Sequence, residues 1–353
     1  MGKKGLVIKT TGFAPLIKEN LASIACSIVK PIQGHSNDLL DGAVSTGPYI
    51  LVRKSDRQIE LKKRSGTGPE KVIFEATNHF GDFQKLKDKM SLILVDFDPG
   101  KTPGFTKHVN SMLGNWQLSF NNEKGKFSNL ELRKAITYGI NFKHLKEKLD
   151  WSEDRLQGGL FPFGMRGFMR RTFDDKNKSK ASKILASLGY SQKNPLKFTI
   201  LMAKGHGSEK AKPIWGEVFG DLPIVSRIEL VDQTELVRRR DAGDFEALYH
   251  GKAAGSHDPH IILASYLSSS RFNTPRIKNK SCDSKIRHAL SEHDHDLRWA
   301  HYKDAEKCLL GTYFIVPLAT VNSGFALVKS PWRLSRKNQY LLHPYYANEW
   351  VRE

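Results

Sequence analysis

"LKFTILMAKGHGSEKAKPIWGEVFGDLPIVSRIELVDQTELVRRRDAGDFEALYHG" (196–251) is the stretch whose reading decides the fold. "LKFTILMA" (196–203), "SRIELVD" (226–232) and "FEALYHG" (245–251) read as strands. Between them, "SEKAKPIWGEVFG" (208–220) reads as a broken helix with Pro213 near its first turn, and "QTELVRRRDAG" (233–243) as a second helix. Strand, helix, strand, helix, strand is the order of an α/β lobe.

Upstream, "NWQLSFN" (115–121) is strand-like and leads into one long helix, "SNLELRKAITYGINFKHLKEKL" (128–149). Ser128 and Glu131 have the spacing of a capping box. Leu132, Ala135, Ile136, Ile140, Leu145 and Leu149 make its apolar stripe. Gly139 lies mid-helix, where it costs about 1 kcal/mol relative to alanine, so it implies close packing. "GGLFPFGMRGF" (158–168) reads as a loop, and "KSKASKILASLGY" (178–190) as a helix with Gly189 at its C′ position. Downstream, a helix is expected over 296–310, followed by strands in "YFIVPLATVNSGFALV" (313–328).

Closer to the start, residues 13–29 have helical spacing that ends at Lys30-Pro31. The Thr-Gly-Pro-Tyr turn at Thr46–Tyr49 precedes a hairpin, "YILVR" then "QIELKKR", with Ser55 and Asp56 as turn residues. "EKVIFEAT" (70–77), "GDFQKLKDK" (81–89) and "MSLILVDF" (90–97) read as strand, helix and strand. That order implies a right-handed crossover onto one sheet.

A chain of 353 residues is too long for one ordinary core, so two lobes are expected. With 39% hydrophobic and 26% charged residues it suits a soluble globular protein. The net charge of +19 permits an anionic partner, but the basic residues are spread from Lys3 to Arg352. No nucleic-acid-binding motif accompanies them, so a solvated basic surface is favoured over nucleic-acid binding. Cys26, Cys282 and Cys308 form no CxxC, and an odd count argues against a disulfide scaffold; Cys308 reads as a core residue. No stretch is long and apolar enough to span a membrane, and the chain as written carries no export signal. No GxSxG, Walker A or dinucleotide fingerprint is present, so the chain reads as a binding module rather than an enzyme, with no cofactor.

The ordered series "STGPYIL", "FSNLELRKAITYGINFKHL", "FPFGMRGF", "KASKILASLGY", "LKFTILMA", "GDFEALYHGKAAGSHDPHIILASYLSS" and "LRWAHYKDAEKCLLGTYFIVPLATVNSGFALVKSPW" resembles the family 5 extracellular solute-binding proteins, the peptide-, oligosaccharide- and nickel-binding components of bacterial ABC importers. The resemblance runs from Pro15 to Trp332 and covers the C-terminal portion of the family. It implies a two-lobed α/β fold of the type II periplasmic-binding-protein kind. The N-terminal part of the first lobe and the small inserted lobe are expected to be missing. One lobe would take residues 1–105 and 318–353, the other 106–317. It also implies a monomer that binds a small solute or peptide-like ligand between the lobes and works with an ABC permease if exported. The implied location is periplasmic or extracellular, or cytoplasmic if the start is genuine. A cytoplasmic ligand-sensing domain on the same fold is the alternative, and a non-specific nucleic-acid binder is a third reading.

Within that frame the loop after "FEALYHG" is the candidate site, with Tyr249, His250, Lys252, Ser256 and Asp258, joined by Trp116 from the strand entering the second lobe. An ordinary polar surface loop, and core aromatics beside a hinge, are the competing readings. Peptide-binding relatives often carry Trp at the position matching Lys252 and Asp at the position matching Gly255, which argues against peptide binding of the usual kind. His250, His257 and His260 with Asp258 lack a metal-site spacing, so no metal is expected there. "EHDHD" (292–296) reads as a helix cap and solvated turn.

Overall fold

The computed structural model describes residues 29–30, 44–45, 48–55, 58–66, 69–75, 92–95, 103–149, 151, 156–172, 177–205, 208–253, 258–329, 332–334 and 350–352. The chain divides into two compact units. One contains Leu113–Val321, and the other the described residues of Leu21–Met112 and Asn322–Glu353.

In the latter unit β1 (Val29–Lys30) pairs antiparallel with β2 (Val44–Ser45). The hairpin read from the sequence is present as β3 (Tyr49–Lys54) and β4 (Gln58–Lys63), and β5 (Lys71–Glu75) completes an antiparallel three-stranded sheet. Ser55 makes the turn: its N–H donates to Gln58 O at 2.8 Å and its Oγ accepts from Gln58 N at 3.1 Å. Tyr49 OH donates to Pro69 O at 2.9 Å, tying the start of β3 to the entry of β5. β6 (Leu92–Val95) lies in a different, six-stranded sheet, antiparallel to Phe325–Val328. The expected crossover of the strands at 70–77 and 90–97 onto one sheet is therefore wrong. A short loop returns β5 directly onto β4, and short closures cost less chain entropy than a crossover. Of the helix expected at 13–29 only Val29 is described, and it lies in β1 and not in a helix; the helix expected at 81–89 lies outside the described residues.

β7 (Phe105–Phe120) is far longer than the strand expected at 115–121. It is followed by α1 (Leu130–Gly139), α2 (Phe142–Leu149), α3 (Asn177–Ser187), β8 (Leu196–Ala203), α4 (Ser208–Glu217), β9 (Ile224–Val231), α5 (Gln233–Ala242) and β10 (Ala247–Ala253). Then come α6 (His260–Ala264), α7 (Lys280–Ser291), α8 (His295–Gly311) and β11 (Ile315–Lys329), with β12 (Trp332–Leu334) and β13 (Trp350–Arg352) forming a final antiparallel pair. The large sheet has the order β6-β11-β7-β10-β8-β9. The β-α-β-α-β reading of 196–251 holds. β8 is parallel to β9 along its whole length and parallel to β10 at Ala247 and Leu248. Side chains of β8 alternate between two apolar layers. Phe198 and Ile200 enter the main core with Phe120, Phe127 and Trp215, while Leu201 packs with Leu236, Phe245 and Leu248.

The single helix expected over 128–149 is two helices. Ile140 is extended (φ −64°, ψ 119°), and Asn141 restarts the chain as α2 by accepting from His144 N at 3.0 Å. The cap of α1 is Asn129 and not Ser128: Asn129 Oδ1 accepts from Glu131 N and Leu132 N, whereas Ser128 Oγ donates to Gly125 O. Asn is as good a cap as Ser, and Asn129 is the residue adjoining the first helical turn. Gly139 does mark close packing, since a Cβ there would stand 2.8 Å from Leu222 Cδ1.

Cys308 packs against the core as read, but the expectation drawn from the odd cysteine count, against a disulfide, is corrected. α7 and α8 run as an antiparallel hairpin, so Cys282 on the first turn of α7 meets Cys308 on the last turn of α8 in a disulfide, with Cα atoms 5.5 Å apart. Among the described residues, no helix is long and apolar enough to cross a membrane.

Candidate functional site

The C-terminal half of β10 is placed by its neighbours. After Leu248 it runs on beside β7, with Tyr249 opposite Leu118, His250 opposite Gln117, Gly251 opposite Trp116 and Lys252 opposite Asn115. Strand alternation then divides the candidate residues between two faces.

On one face Trp116 and Tyr249 stack, with ring centroids 5.1 Å apart and planes within 8°, and Trp215 meets Tyr249 edge-on at 5.5 Å. The Trp116 ring lies beside Gly251, where a Cβ would meet it at 3.4 Å, an ordinary contact. Burial pushes the Tyr249 phenol well above its usual range.

On the other face a polar network forms around His250. Gln117 Nε2 and Ser119 Oγ each lie 3.0 Å from His250 Nε2, and Gln117 Nε2 donates to Ser119 Oγ at 3.1 Å. Gln117 Oε1 accepts from Tyr266 OH at 2.8 Å. An amide nitrogen only donates, so His250 Nε2 is the acceptor and the imidazole is neutral. Burial, with the Lys252 charge second, pushes its pKa down to about 3. Lys252 Nζ lies 3.9 Å from the centroid of the Tyr266 ring and donates to Phe272 O at 3.3 Å. Burial, with Arg240 second, pushes this ammonium down to about 7. An anion placed against it would restore its charge.

Asp258 is elsewhere in its bonding. It accepts from His260 N at 2.9 Å, His260 Nδ1 at 3.0 Å and Tyr302 OH at 2.8 Å, tying α6 to α8. Burial raises its pKa, and these hydrogen bonds outweigh that and hold it below the usual carboxylate range. These bonds fix the start of α6. Ser256, with Gly255 and His257, lies outside the described residues.

The structure thus joins Trp116 with Tyr249, and His250 with Lys252, through partners that sequence reading missed: Gln117, Ser119 and Tyr266. A signal for two of them was present. Gln117 and Ser119 alternate with Leu118 and Phe120 in "NWQLSFN", and all four are buried, which marks a polar stripe inside a central strand. Asn115 continues that stripe, donating to Leu160 O at 2.8 Å in the Phe-Pro-Phe-Gly loop, while its buried Oδ1 has no partner. A separate cavity of about 380 Å³, lined by Tyr138, Asn141, Arg171 and Lys178 among others, shares no residue with the β7–β10 site.

Residues 2–274 match the family described as bacterial extracellular solute-binding proteins, family 5 Middle. The chain is 23% identical over 230 residues to the periplasmic murein peptide-binding protein MppA of Escherichia coli K12, covering 62% of this chain and 42% of that protein. It is 26% identical over 223 residues to the periplasmic oligopeptide-binding protein OppA of the same organism, covering 60% and 40%. The chain therefore spans about two fifths of the length of these relatives. A crystal structure of Haemophilus influenzae OppA in complex with RPPGFSPFR superposes with a TM-score of 0.69 at 20% identity, over 87% of this chain and 64% of that one. The fold is accordingly the mixed α/β type II periplasmic-binding-protein fold, and the chain belongs to the family 5 bacterial extracellular solute-binding proteins.

Proposed function

We propose that the chain is a substrate-binding component of an ABC-type uptake system, a binding protein rather than an enzyme. In this reading it works in the periplasm and delivers a neutral or anionic peptide-like solute to its permease. Its relatives MppA and OppA are periplasmic peptide-binding proteins by name, and the Cys282–Cys308 disulfide suits an oxidising compartment.

The observation that carries the ligand choice is Lys252. It is half-buried beside Tyr266 with its ammonium depressed to about 7, at the end of β10 where α/β proteins take up ligands. A ligand carboxylate gains a charge-assisted hydrogen bond there, whereas a ligand ammonium meets a like charge.

Isothermal titration of the purified chain against a di- to pentapeptide pool, native and N-acetylated, tests this. N-acetylated or anionic members should bind at least as well as native ones. Lys252→Ala should weaken them roughly ten- to a hundredfold, the worth of a hydrogen bond to a charged group. Micromolar binding that vanishes on N-acetylation would overturn the ligand choice.

A further inference from the structure

We infer that the closed end of the α7–α8 hairpin holds a divalent transition metal of the zinc class on His288, Glu292 and His301. This site is separate from the β7–β10 edge and goes beyond the transport reading.

His288 and Glu292 stand four residues apart at the end of α7, so both face the same side. The antiparallel return of α8 brings His301 against them. One ligand atom from each lies within 4.8 Å of the other two. Glu292 Oε2 is 3.5 Å from His301 Nε2, and the two imidazoles meet edge to face with centroids 4.1 Å apart. Tetrahedral bonds of about 2.0–2.1 Å to zinc set ligand atoms about 3.3 Å from one another. The Glu292–His301 pair already has that spacing. His288 is exposed, so a rotamer change is enough to bring in the third ligand. Two imidazoles and one carboxylate suit zinc and its first-row neighbours, whereas calcium and magnesium take all-oxygen sets.

The ligands are also held in place. Glu292 Oε1 accepts from Asp294 N at 2.9 Å, which leaves Oε2 directed at His301. Arg298 Nη1 donates to Glu292 O at 3.1 Å and fixes the backbone of the turn. The Cys282–Cys308 disulfide sets the helix spacing at the other end of the hairpin. Outer contacts of this kind orient metal ligands. Three protein ligands leave a fourth position for water. Bound metal would cross-link the turn end and stabilise the folded state by mass action.

The experiment is a titration of the full chain, disulfide intact and in a Cys26→Ser background, with zinc chloride followed by calorimetry and with cobalt chloride followed by visible absorption. The expected result is a single saturable equivalent, tetrahedral cobalt bands, and a thermal midpoint that zinc raises and EDTA restores. His288→Ala should bind zinc more than about tenfold more weakly while keeping the metal-free thermal midpoint, because His288 is exposed. Glu292→Gln should do the same, and it provides a second test should His301→Ala fail to fold. No saturable zinc uptake by the parent chain, or uptake unchanged in both variants, would overturn the proposal.

Discussion

Gly251 faces Trp116 across the β7–β10 ladder, and a methyl group on Gly251 would meet the Trp116 ring at 3.4 Å. That distance is ordinary contact, so the strand has room for one carbon and no more. The stack of Trp116 on Tyr249 depends on this gap.

Gly251→Ala should therefore change stability by less than about 0.5 kcal/mol, while Gly251→Leu should displace the indole and cost about 1–3 kcal/mol by overpacking. Urea unfolding and tryptophan emission measure the two effects. Equal costs for both substitutions would mean that the indole does not lie over Gly251.

The Cys282–Cys308 bridge closes a loop of 26 residues in sequence separation. Loops of that size give about 2–4 kcal/mol of stabilisation, chiefly by restricting the unfolded chain. Thiol titration in denaturant should find one free thiol without reductant and three with it, matching the three cysteines of the sequence. Cys282→Ser should lower the unfolding free energy by that amount under oxidising conditions and by nothing under reducing ones. Three free thiols in the unreduced protein would contradict the pairing.

What the sequence made legible follows the range of the interactions involved. β8 was read at its observed bounds, Leu196–Ala203, because a buried parallel strand is nearly all apolar and needs no partner to be recognised. The α1 cap was displaced by one residue because Ser128 and Asn129 are both competent caps, and only the turn at Gly125 decides between them. The break at Ile140 was hidden because the apolar spacing continues through it. The disulfide is invisible because its cysteines are 26 residues apart and meet only when α8 folds back on α7. The candidate site is half legible: Trp116, Tyr249, His250 and Lys252 stand out by residue type. Their division between two faces, and the Gln117–Ser119–Tyr266 network, arise from pairing with β7 and packing of the segment after α6. Asp258 stands out by its charge, whereas its bonds to His260 and Tyr302 arise from the packing of α6 and α8.

Glu306 lies on the buried face of α8. Its carboxylate is 2% exposed and accepts from Leu160 N at 2.6 Å, clasping the Phe-Pro-Phe-Gly loop. Gly159 permits the approach, since a Cβ there would stand 2.6 Å from Glu306 Oε1. Burial pushes the carboxyl up to about 7 against the pull of the Leu160 and Phe161 amides and of Lys303. In the unfolded chain the same group titrates near its ordinary value of 4.5. Below that pH both states are protonated and the contribution is fully present. Between 4.5 and about 7 the folded state holds a proton that the unfolded state has lost, so stability falls as pH rises. Above about 7 the folded protein keeps a buried charge, and the loss amounts to roughly 3 kcal/mol. Glu306→Gln retains an acceptor for Leu160 N and carries no charge. The variant should be the more stable protein at pH 8, and its unfolding free energy should lack most of the decline between pH 4.5 and 7. Urea titrations at pH 5 and pH 8 measure both quantities, and a decline as steep as that of the parent chain would show that Glu306 does not titrate in this window.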